Sequence, residues 1–118
     1  MSANYRMHIL VDKNRMKDVI SFIDNNVGRK LTAELVAERT GFNKSTLNRY
    51  FLLIYRLPIS RVILDSKMKK AHDLIMENDK LISEVAHLLG YKNCSAFTHA
   101  FTRYFGYTPM QLLNSRDT

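Results

Sequence analysis

Apolar residues recur at helical spacing along most of the chain. Met16, Val19, Ile20, Ile23 and Val27 step by three or four from about Asn14 onward, which predicts a first helix, with Asp12 as its N-cap and Gly28 as its stop. A second helix is expected over 33–39, with Thr32 as N-cap and Gly41 as breaker, and a third over 44–55, capped by Asn43. Pro58 suits the first turn of a longer helix reaching about Asn78. A fifth is expected over 81–88, broken at Gly90, and a sixth over 94–104, between Asn93 as cap and Gly106 as stop. Thr108 and Pro109 form an N-cap and first-turn pair for a short last helix. The reading is all-α, about seven helices. Residues 1–13 are expected to be a flexible segment, 14–57 a first helix-turn-helix subdomain, 58–79 a linker helix and 80–118 a second helix-turn-helix subdomain.

The second and fifth helices, each taken with its turn and the next helix, are copies. A shift of 49 pairs Val36 with Val85, Ala37 with Ala86, Gly41 with Gly90 and Phe42 with Tyr91. After one inserted residue, a shift of 50 pairs Ser45 with Ser95, Leu47 with Phe97, Phe51 with Phe101 and Leu57 with Tyr107. The spacing has a physical reason. A small residue on the first helix lets the second approach, a glycine takes the positive φ of the turn, and a bulky apolar residue closes the corner.

At about 100° per residue, Leu47, Tyr50, Phe51 and Ile54 share one side of the third helix, with Ser45, Asn48 and Arg49 opposite. The sixth helix repeats this. Phe97, Ala100, Phe101 and Tyr104 oppose Ser95, Thr98, His99 and Thr102, while Lys44 and Cys94 occupy equivalent first-turn positions. Such polar faces fit the major groove. Arg49 could bond bidentately to guanine and Asn48 to adenine; Ser45, Ser95 and Thr98 could meet bases or phosphates, and Lys44 a phosphate. The alternative is simply the wet side of an amphipathic helix. Leu52 falls at the angle of Thr102. It is expected to pack against the next helix, contact with a thymine methyl being the other possibility.

Charge leaves nucleic acid, an acidic membrane surface and a generic basic protein open. Eighteen Lys and Arg against eleven Asp and Glu leave a formal +7 on 118 residues, which suits a polyanionic partner. Four Gly and two Pro are too few for a turn-rich β-sandwich. The lone Cys94 allows no internal disulfide and no zinc site of its own, which points to a reducing cytoplasm. Its place near a helix N-terminus leaves a redox role open, a DNA-facing or partly buried thiol being the plainer view. The apolar patch Met7, Ile9, Leu10 and Val11 is too short for a secretory leader, and no run approaches a membrane span. His8, His72, His87 and His99 are scattered, with no phosphate loop or nucleophile motif, so no enzyme, cofactor or metal site is expected.

Leu64, Met68, Ala71 and Ile75 make one stripe on the linker helix. The 21 residues of 58–78 would span roughly 30 Å, close to the about 34 Å turn of B-DNA. One chain could thus address two successive major grooves on a non-palindromic site. Lys67, Lys69 and Lys70 could approach the backbone or simply be solvated.

The run Ile82, Ser83, Glu84, Val85 and Ala86, then Gly90, Tyr91, Ser95, Phe97, Phe101, Gly106, Thr108 and Pro109, closely resembles the signature of the AraC/XylS transcription regulators. Residues 31–59 resemble the looser first unit of the same domain, and Lys67, Met68 and Ala71 its linker helix. Most members carry a further domain for ligand binding or dimerisation, for which 118 residues leave no room, so the small single-domain members are the expected type. The resemblance implies a bacterial, nucleoid-associated activator that binds double-stranded DNA as a monomer, at an asymmetric site, and contacts RNA polymerase. It implies base contacts from Ser45, Asn48 and Arg49 and from Cys94, Ser95, Thr98 and His99, with Lys44 and Arg103 completing the DNA-facing set. The competing expectation is a regulator that keeps the fold but binds polymerase or a larger relative with little specific DNA binding. The chain departs from the pattern at Arg56, where Gly is frequent, at Leu112 and Leu113, where an aromatic and an Arg are common, and at the small Ser45. The first unit is expected to supply most base specificity and the second mainly to anchor.

Overall fold

The computed structural model describes residues 2–28 and 30–116, with side chains placed from Lys13 onward. The described residues form helices α1 (Ser2–Asn26), α2 (Ala33–Thr40), α3 (Lys44–Tyr55), α4 (Ile59–Glu77), α5 (Ile82–Leu88), α6 (Cys94–Phe105) and α7 (Pro109–Ser115), and no strand. Two corrections concern helix starts. The backbone is helical from Ser2, so Asp12 lies inside α1 and is not its cap; most of the expected loose segment 1–13 lies outside the described side chains. Pro58 precedes α4 instead of opening it: its carbonyl accepts from the N–H groups of Arg61 (3.0 Å) and Val62 (3.3 Å). A proline there sacrifices no helical hydrogen bond.

The chain forms two compact units, and the division falls inside α4. Residues 31–63 group with the first unit, and residues 64–118 with the second. In the first unit α1 packs on α2 and α3, burying Met16, Val19, Ile23, Val36, Ala37, Leu47, Phe51, Ile59 and Ile63. In the second, α5, α6 and α7 enclose Met68, Ala71, Ile75, Val85, Ala86, Leu89, Phe97, Phe101 and Leu112. Replacing a fully buried phenylalanine such as Phe51 or Phe97 by alanine would cost about 3–5 kcal/mol.

The repeat reaches further back than the helix-turn-helix. A shift of 52 sets Met16 on Met68, Val19 on Ala71 and Ile23 on Ile75, all buried. Thus α1 and α4 are counterparts, each the helix that leads into a helix-turn-helix. The next residue outward matches too. Arg15 lies over the Phe42 ring at 4.1 Å, and Lys67 over the Tyr91 ring at 5.1 Å. In both modules a cation from the leading helix covers the aromatic next to the turn glycine, a contact worth about 0.5–1 kcal/mol where exposed.

Candidate nucleic-acid interface

Each module closes its corner in the same way. Gly41 takes φ 80° and Gly90 φ 80°. The N–H of Phe42 then donates to the Ala37 carbonyl at 2.9 Å, and that of Tyr91 to the Ala86 carbonyl at 3.0 Å. A Cβ at Gly41 would meet nothing within 4 Å, so backbone conformation alone calls for glycine there. Asn43 Oδ1 accepts from the N–H groups of Ser45 and Thr46, and Asn93 Oδ1 from that of Ala96 at 2.7 Å. These caps fix where α3 and α6 start, and hence which residues face outward.

Opposite the buried Leu47 and Phe51, α3 exposes Lys44, Ser45 and Arg49, with Asn48 half-buried. Opposite Phe97 and Phe101, α6 exposes Cys94, Ser95, His99 and Arg103, with Thr98 half-buried. All nine sequence-predicted residues thus lie on two polar helix faces, one per module. Arg49 has no ion pair among the described residues.

Four details revise the expectations. Asn48 Oδ1 accepts the N–H of Ile59 at 3.1 Å, tying α3 to the first turn of α4. One of that oxygen's two acceptor sites is thus taken, so a bidentate bond to adenine has to share the oxygen with Ile59, while the NH₂ stays fully available. Lys44 is paired with Glu34 on α2, and this hydrogen bond, ahead of other causes, holds the Glu34 carboxyl below its ordinary range. Lys67 is half-buried over Tyr91, and burial lowers the pKa of its ammonium, so of the linker lysines only Lys69 and Lys70 are exposed. Leu52, expected to pack, is 45% exposed on the outward face of α3.

An open cleft of about 540 Å³ lies beside Lys44, Ser45 and Asn48, lined further by Ala33 and Glu34 of α2 and by Pro58, Ile59 and Ser60. The first turns of three helices meet there. Their N–H groups and dipoles favour an anionic group, with Glu34 opposing it. The helical stripes do not single out Ala33 or Ser60; the paired caps Thr32 and Asn43 are the usable signal.

A family model for a helix-turn-helix domain matches residues 36–115, which covers both modules' turns. The chain belongs to the AraC-type helix-turn-helix family. This AraC-type chain is 25% identical over 91 residues to the transcriptional activator AggR of Escherichia coli, which covers 77% of this chain and 34% of the relative. It thus spans about a third of the length of such curated relatives. To the regulatory protein SoxS of Escherichia coli it is 27% identical over 94 residues, covering 80% of this chain and 88% of SoxS. An AraC-type regulator structure from Chromobacterium violaceum superposes with a TM-score of 0.81 at 19% identity, covering 91% of this chain and 96% of that one. The DNA-binding domain of AdpA, solved with a target DNA, superposes at 0.76 and 19% identity, over 84% and 89% of the two chains. These two likenesses establish the all-helical fold.

Proposed function

We propose that this AraC-type chain binds double-stranded DNA sequence-specifically and regulates transcription, probing the major groove with the outer faces of α3 and α6. The observation that carries this reading is the duplicated corner, with its matched glycine φ, turn hydrogen bond and outward polar face. The +7 charge supports it. Arg49 is the guanine reader; Ser45, Ser95, Thr98, His99 and the Asn48 NH₂ meet base edges or nearby phosphates, with Cys94 at the border of its face. Lys44, Arg103 and the cleft beside Ser60 hold the backbone.

In the same reading one chain addresses two adjacent grooves at an asymmetric site, as a monomer, and activates through contact with RNA polymerase. Two non-identical recognition faces in a single chain support the asymmetry, and the family resemblance supports activation. A footprint on genomic DNA tests it. Protection about two major grooves long, without a palindrome, is the expected result. Equal binding to all sequences, or affinity that does not fall with salt, would overturn the specific-DNA reading in favour of a protein-directed regulator.

A further inference from the structure

We propose that Leu52 on α3, and Thr102 at the matching place on α6, read the 5-methyl group of thymine. The inference rests on the major-groove reading above and names part of its specificity. With Ser45 set at zero and about 100° per residue, Asn48 lies near −60°, Arg49 near +40° and Leu52 near −20°. Leu52 therefore sits between the two polar readers, in the middle of the outward face, and it is 45% exposed. A single exposed leucine is ordinary on a protein surface. Two further observations distinguish this one.

The first is the counterpart. A shift of 50 sets Leu52 on Thr102, as it sets Ser45 on Ser95, and the matching holds in the backbone: the C-cap N–H of Arg56 donates to the Leu52 carbonyl and that of Gly106 to the Thr102 carbonyl. The Thr102 hydroxyl is turned onto its own helix and donates to the Thr98 carbonyl at 2.7 Å. With its donor used in this way, the Thr102 side chain keeps an acceptor site and a methyl, so both copies carry an apolar group at this place. The second is the state of Asn48, whose oxygen is engaged by Ile59. The centre of the α3 face is thus poorer in hydrogen-bonding capacity than its residue types suggest, and its apolar member has correspondingly more to decide. On the major-groove edges of the four bases, the thymine methyl is the apolar feature that such a side chain would meet.

The test uses the full chain and a random duplex library. Bound duplexes are selected, and each thymine of the enriched sequence is then replaced in turn by deoxyuridine, which removes the 5-methyl and nothing else. For the wild type, at least one thymine in each half of the site should weaken binding about four-fold when demethylated, the factor for one buried methylene-sized group. Leu52→Ala should lose a similar factor on the thymine duplex and show no further loss on the deoxyuridine one. Thr102→Ser, which keeps the hydroxyl and deletes the methyl, should do the same at a different thymine. Unchanged circular dichroism and melting of both variants exclude misfolding as the cause. If both variants stay as sensitive to demethylation as the wild type at every thymine, the assignment is wrong while specific DNA binding stands. If no sequence is enriched at all, the DNA reading falls and this inference with it.

Discussion

Arg56 ends α3 at φ 62° and ψ 21°, in the left-handed region, where its counterpart Gly106 ends α6 at φ 85° and ψ 4°. The same cap bond closes both ends, at 3.1 Å to Leu52 and 2.8 Å to Thr102. For a residue with a Cβ that conformation costs roughly 1–2 kcal/mol. Glycine removes this cost and returns part of the gain as unfolded-state entropy. Arg56→Gly should therefore stabilise the fold by about 0.5–1 kcal/mol, or about 2–5 °C in Tm for a chain of this size. Arg56→Ala is the necessary control: it deletes the same charge and side chain but keeps the strain, so the difference between the two variants isolates the backbone. Gly106→Ala is the mirror experiment. A Cβ there would meet nothing within 4 Å, so its cost of about 1 kcal/mol would be conformational alone. The assay is thermal and urea unfolding of the four proteins side by side. If Arg56→Gly proves no more stable than Arg56→Ala, the claim of strain at this cap is refuted.

Other outcomes hang on single contacts. Asn48→Ala strands the Ile59 N–H and should cost about 1 kcal/mol in unfolding free energy, whereas Asn48→Asp keeps an acceptor at the start of α4, so it should hold stability while weakening DNA binding by placing an anion on the face. Glu34→Gln releases Lys44; binding should tighten and fall more steeply with salt, and a titration in which neither changes would sink the proposed backbone role of Lys44. The same variant bears on acid stability. A lowered carboxylate pKa contributes stability above the ordinary value, lost as pH falls through the lowered one, so the acid limb of the melting profile should flatten in Glu34→Gln; the pair is exposed, so the change should be small. Lys67→Met removes a half-buried ammonium whose desolvation opposes its contact with Tyr91, so stability should change by less than about 1 kcal/mol in thermal unfolding.

Local chemistry makes much of this legible in the sequence. Thr32, Asn43, Asn93 and Thr108 cap the helices their neighbours begin, and Gly41, Gly90 and Gly106 hold positive φ, because caps and turns are decided by a few adjacent residues. The equivalence of α1 and α4 is hidden, since its register of 52 differs from those of the turn and the recognition helices, and only Met16 and Met68 are identical among its three buried pairs. The engagement of Asn48 by Ile59 links residues eleven apart on two helices, which no periodicity encodes. At Leu52 hydrophobicity and helical angle point opposite ways. Hydrophobicity argues for packing, angle places the residue beside Arg49, and the exposure sides with angle. At Pro58 the sequence leaves one residue of latitude, because a proline suits both sides of a helix start.

The two recognition faces divide the work differently from what residue types alone suggest. By type, Asn48 and Arg49 make the first face the better reader. In the folded module Asn48 shares its oxygen with α4, and Lys44 its charge with Glu34. Of the polar side chains there, Arg49 and Ser45 remain without a partner among the described residues. On the second face Ser95, His99 and Arg103 are exposed, Thr98 and Thr102 are half-buried, and the Thr102 hydroxyl donates to its own helix. On the proposed function, then, discrimination by the first module concentrates on one guanine and one thymine next to each other, read by Arg49 and Leu52. Arg49→Ala should flatten the selected sequence at that guanine alone, with a loss of roughly 1–3 kcal/mol, and leave the second module's preferences in place. A general loss spread evenly over all positions would instead mark Arg49 as a phosphate contact and return the specificity of the first module to Ser45 and the cleft.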